Sequence, residues 1–248
     1  MNPDAQKTTT QPATNQLGKI HALLTAQTAL IILISINRLS TLTAGGVPPN
    51  GFLRWVDFHN MLTLPVAAVT VLYLLKRQLE MPANRPAGAA RIALDLTFII
   101  GVYFLGAGYG NHEVTNYLHA RFCASPGSDA LCRIIAYNDD TFSHLIFFIG
   151  FILPNLTLMF TQTLPPAPSP LTLKDQGLLT VNSLFMSAGI FANLAFEQLG
   201  LDLYVVALLA ILALVLLHQY GKRPLLFFYA IAYSLGLIAT VAYKVFAA

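Results

Sequence analysis

Apolar residues in this chain run in long blocks broken by short polar stretches, with little strict alternation. A helix rises about 1.5 Å per residue and a bilayer's hydrocarbon core is about 30 Å thick, so a block of roughly 20 apolar residues reads as a membrane-crossing helix. Seven blocks qualify: Lys19 to Asn37, His59 to Leu75, Ala89 to Tyr109, Thr141 to Gln162, Leu173 to Glu197, Leu203 to His218 and Pro224 to Phe246. Backbone groups in lipid must be paired within the segment, so such runs predict helices and not barrel strands. The expectation is an all-α membrane protein, a bundle of about seven transmembrane helices.

Around these blocks the polar segments fall into place. Residues 1–18 read as a disordered polar tail without the layout of a cleavable signal, and 19–248 as one seven-helix transmembrane domain. The stretch 112–140 reads as an extracytoplasmic loop, and the Pro-rich LPPAPSP as the linker between helices four and five. Pro65, Pro154 and Asn155 interrupt helices two and four and predict kinks. Gly101, Gly106, Gly108 and Gly110, which include a Gly106-x-x-x-Gly110 spacing, and Gly189 permit close helix approach.

Composition agrees. Hydrophobic residues make up 56% of the 248 and charged residues 10%, where soluble domains carry about a quarter charged. A formal charge of +3 offers no concentrated basic surface, so nucleic acid is excluded as a partner. With seven spans, the tail and the even-numbered loops carry nine of the fourteen lysines and arginines, Lys76, Arg77 and Lys222 among them. Short loops rich in these residues stay cytoplasmic, which places the N-terminus inside and the C-terminus outside, in the cell (inner) membrane. Cys123 and Cys132 then lie on the outer side, where an oxidising compartment permits a disulfide between them.

The ionisable residues gather on that same outer side. Four of six histidines and seven of eleven acids fall on the outer helix ends or their loops. Charged groups at a membrane boundary are costly, so this one-sidedness points to function. Residues three, four, seven or eleven apart share a helical face, which aligns His112, Asn116 and His119 if helix three continues past Tyr109 as NHEVTNYLHARF suggests, pairs Asp140 with His144, and aligns Asn182, Asn193 and Glu197.

Imidazole with carboxylate suits a divalent metal, zinc first, with copper or iron as alternatives. The candidate ligands are His112, His119, Asp140 and His144, with Glu113 as the base that takes a proton from metal-activated water. His59, Asp57, Asp139, Asn116 and Glu197 stand behind them as orienting partners or alternative ligands. His112-Glu113 departs from the His-Glu-x-x-His metalloprotease pattern, because the next histidine follows at seven and not at four.

Asp140-x-x-x-His144 at a helix entrance resembles, over a short stretch, the Asp-x-x-x-His entry of VanZ-like membrane proteins. The helix count and ligand types are similar to those of the seven-helix hydrolase group that includes alkaline ceramidases and adiponectin-receptor relatives. That group's His-x-x-x-His pair has no counterpart in the last helix here, so the similarity is one of architecture.

Three functions are compatible with these features. The first is a metal-dependent hydrolase whose lipid or other amphipathic substrate enters from the membrane. The second is a transporter of a cation or small solute, with Asn182, Asn193, Asp95 and the kinked helices forming a path. The third is a non-catalytic subunit held by its partners in a larger membrane complex. Lys244, at the very end of the last helix, is placed to reach water and not to carry a retinal Schiff base.

Overall fold

The computed structural model describes residues 12–80, 88–123, 129–164, 170–194 and 200–246, and of residues 12–15 and Asn193 it describes only the backbone. Every regular element among them is helical. In chain order they are α1 (Pro12–Leu39), α2 (Trp55–Glu80), α3 (Ala89–Phe122), α4 (Ala130–Thr163), α5 (Leu173–Leu194), α6 (Leu201–Tyr220) and α7 (Pro224–Phe246). All but α5 are long and apolar enough over their described residues to cross a membrane. Helix α1 begins at Pro12, inside the stretch expected to be an unstructured tail.

The segment 112–140, expected as a loop, is mostly helix. Helix α3 continues to Phe122 and α4 starts at Ala130, because no proline or glycine interrupts the chain between Asn111 and Ser125. At 34 residues each, α3 and α4 are about 51 Å long against an apolar layer of about 30 Å, so they project beyond it as an antiparallel pair. Cys123 and Cys132 join that pair at its tip, with an S–S separation of 2.10 Å and Cα atoms 5.6 Å apart, which bears out the expected bridge.

Small residues set how closely α3 and α4 approach. A Cβ on Gly101 would lie 2.5 Å from Pro154 Cδ, one on Gly108 would lie 2.8 Å from Phe147 Cα, and one on Gly150 would lie 2.5 Å from Leu105 Cα. Gly106 and Gly110, the pair with the recognised spacing, have nothing within 4 Å of an added Cβ. The contact face is thus the seven-residue spacing of Gly101 and Gly108, two turns of one helical stripe.

Helix α5 lies beside α1 and α7, and Asn182, Ser183 and Ser187 bond to those neighbours. Ser183 and Ser187, one turn apart, donate to the Phe228 and Ala232 carbonyls of α7, each at 3.0 Å. Asn182 donates to Thr25 of α1 at 3.1 Å. Helix α6 stops at Gly221, whose φ of 76° and ψ of −173° lie in a region open essentially only to glycine. Pro224 then opens α7, where the Gln162 side chain accepts from the Leu225 and Leu226 amides at 2.8 and 3.0 Å.

The bundle is packed unevenly along its axis. Buried side chains such as Leu24, Leu75, Leu158, Leu179, Leu225 and Phe228 all lie in the half away from the disulfide. That end is tied by ion pairs: Lys76 with Glu80 and Asp95, and His21 with Asp175 at 3.1 Å. Asp95 thereby has a salt-bridge partner near the interface. The half nearer the disulfide encloses a cavity, and the clustered histidines and acids are found there.

Candidate functional site

Two π-helical turns, His59–Thr63 in α2 and Asn138–Phe142 in α4, lie at the same end of the bundle. Such turns insert one extra residue and re-aim the side chains around them. Each is braced by an asparagine from a neighbouring helix. Asn37 of α1 donates to the Val56 carbonyl at 3.1 Å and to Asn60 Oδ1 at 2.7 Å, and Asn111 of α3 donates to the Asn138 carbonyl at 3.1 Å.

The second turn places Asp139 and Ser143 inside and leaves Asp140 exposed. Asp139, 1% exposed, is the centre of the site. Its Oδ2 lies 3.1 Å from His119 Nδ1 in hydrogen-bonding geometry. Its Oδ1 lies 3.0 Å from His112 Nδ1, close enough for an ion pair but off the line of a hydrogen bond, so both atoms keep an unused valence. Two imidazoles therefore meet one carboxylate through Nδ1; His112 lines the interior of the bundle and His119 lies beside the exposed Asp140.

On the inner side, His112 meets His144 edge to face with ring centroids 5.0 Å apart. On the outer side, one ligand atom each from His119, Asp139 and Asp140 lie within 4.8 Å of one another, close enough to hold a metal ion together. The four ligands expected from sequence are thus divided between two sides of Asp139, and Asp139 itself, expected as an orienting partner, joins the outer group.

Other expected residues have different partners. Glu113, the expected base, is buried and receives Arg38 Nη2 of α1 at 2.6 Å. Asp57 is buried and gripped by both arms of Arg54, at 2.7 and 2.8 Å, and this hydrogen bonding raises the Arg54 pKa above its ordinary value. His59 stacks on Trp55 at 5.7 Å and lies 3.2 Å from Thr63 Oγ1. Asn116 is exposed, and Glu197 and the Asn193 side chain lie outside the described residues.

His112 and His144 face a cavity of about 220 Å³ that fills the open half of the bundle. Its walls are apolar: Ile31, Ile34, Leu72, Leu105, Phe147, Phe151, Met186, Ile190 and Val206, drawn from six helices. Its floor is Tyr229 and Tyr233, the latter donating to Asn155 Oδ1 at 2.9 Å beside the Pro154 kink. Its polar end is formed by Arg38, His112, Ser143, His144 and Asp202. Arg38 and Asp202 were not singled out as site residues by sequence. Each is a lone charge at the end of an apolar helix, a pattern that also describes ordinary interfacial residues.

No family model matches the chain, and no curated protein or solved structure does so either.

Proposed function

We propose that this protein is a metal-dependent membrane hydrolase that acts on a lipid or other amphipathic molecule at the outer leaflet. The observation that carries the reading is Asp139, a buried carboxylate shared between a cluster of metal-ligating groups and a histidine that faces an apolar cavity. His119, Asp139 and Asp140 would hold the ion, zinc by preference, with copper or iron as alternatives, which leaves a coordination position for water. A divalent ion there would supply a water of lowered pKa, one carboxylate away from the histidine that faces the cavity.

The chain's own residues do the rest. The apolar walls take the tail of the substrate and hold its polar part against His112 and His144. Those two imidazoles, in mutual contact, would take up a proton from water and return one to the leaving group. Glu113, bound by Arg38, fixes α1 against α3 and so positions the His112 turn beside it.

The reading includes the arrangement in the membrane. All seven helices cross, α5 included, since it runs alongside α1 and α7 and clasps the α7 backbone with its serines. The N-terminus lies inside and the site faces out of the cell membrane, in keeping with the lean of lysine and arginine to the other side.

The test is turnover. Protein reconstituted into phospholipid vesicles should release product from a panel of fluorescent acyl esters and amides, stop on addition of EDTA and recover on addition of zinc. Release that persists in EDTA, or that is equal in Asp139→Asn, would refute the metal-dependent reading.

A further inference from the structure

Asp202 stands apart from the histidine cluster. It opens α6, lines the polar end of the cavity and is 1% exposed. One carboxylate oxygen, Oδ1, accepts from the Leu203 amide at 2.7 Å. The other, Oδ2, is buried and has no hydrogen-bond partner. Lys244 of α7 attracts the carboxylate through space without supplying that bond.

A buried carboxylate oxygen left unpaired is expensive, and native structures hold such groups against a donor or a cation. The other formal charges near this end do not fill the role. Arg38, which lines the same end, is bound to Glu113 at 2.6 Å, and Asp139 lies behind His112. The carboxylate lining this end thus keeps one oxygen without a donor, above walls that include the rings of Phe147, Phe148, Phe151 and Tyr229, whose faces attract cations.

We propose that Asp202 is the headgroup receptor of this cavity, and that the molecule it receives is a cationic amphipath: an apolar tail carrying a protonated amine. The ammonium bonds Oδ2 while the tail lies along the apolar wall toward Tyr229 and Tyr233. This assignment rests on reading the cavity as the seat of an amphipathic molecule, and it is independent of whether a metal is bound.

Full-length protein in a neutral maltoside detergent is titrated with octylamine, octanol and octanoate, and thermal stabilisation is read at each concentration. Wild type should bind octylamine about tenfold more tightly than octanol, and octanoate more weakly than either, because only the ammonium brings a full positive charge to the bond with the carboxylate. Asp202→Asn should bring amine and alcohol to within about twofold while octanol still binds, which separates loss of the carboxylate from loss of the cavity. His119→Ala, which removes a metal ligand, should keep the full amine preference, so the hydrolase reading can fail while this one stands. Equal binding of octylamine and octanol to wild type overturns the proposal, as does an unchanged preference in Asp202→Asn. Should that variant not fold, the wild-type order of the three probes decides the matter.

Discussion

Glu113 of α3 is held by Arg38 of α1 at 2.6 Å, a bond between two helices whose side chains are 6% and 35% exposed respectively. Removing one partner leaves the other buried charge uncompensated, which is the costly way to break such a pair. Arg38→Ala should therefore cost about 2 kcal/mol, below the roughly 3–5 expected for a fully buried pair because the arginine is partly exposed. The paired replacement Arg38→Leu with Glu113→Leu should recover most of that loss. Thermal unfolding in detergent checks both, and an Arg38→Ala protein as stable as wild type would contradict the account of this contact.

The contact between α3 and α4 gives a sharper contrast. Gly150→Ala drives a methyl into the Leu105 and Phe104 backbone, which cannot give way as a flexible side chain would, so a loss of about 1–3 kcal/mol or more is expected. Gly106→Ala places its methyl in open space and should be neutral, or stabilising by about 0.5–1 kcal/mol through helix propensity. Melting temperatures of the two variants in one detergent decide this. Equal effects would mean that the contact face has been misassigned.

Cys123 and Cys132, nine positions apart, close a short loop at the tip of the α3–α4 pair. Closing a loop of that size in the unfolded chain is worth about 2–3 kcal/mol by the chain-entropy relation. Cys123→Ser with Cys132→Ser should lower stability by that order and loosen the turn at Asn138–Phe142 that carries Asp139. Hydrogen exchange across 130–145 should rise in the double variant, and unchanged exchange there would separate the disulfide from the site.

Much of this was legible in the chain. Block length gave the long apolar helices, loop position gave the cysteine pair, and the lopsided distribution of histidine and acid marked the end where Asp139 meets two histidines. Three features were not. The spacing of His112 and His119 put them on one face correctly, but a shared face does not say that a single carboxylate from another helix would take both rings by Nδ1. That depends on the extra residue in the π-helical turn at Asn138–Phe142, and no residue pattern announces such a turn. The Gly106-x-x-x-Gly110 spacing was the more conspicuous motif, yet Gly101 and Gly108 make the contact, because the partner helix fixes which stripe is used. Arg38 and Asp202 were invisible as site residues, since their roles arise from a cavity made by six or more helices.

Metal content of the purified protein tests the central claim most directly. Protein prepared without chelators should carry a stoichiometric divalent metal by elemental analysis, zinc foremost. Asp139→Asn and His119→Ala should lose it while Gly106→Ala retains it. A wild-type protein free of divalent metal, or an Asp139→Asn protein holding as much as wild type, would contradict the account.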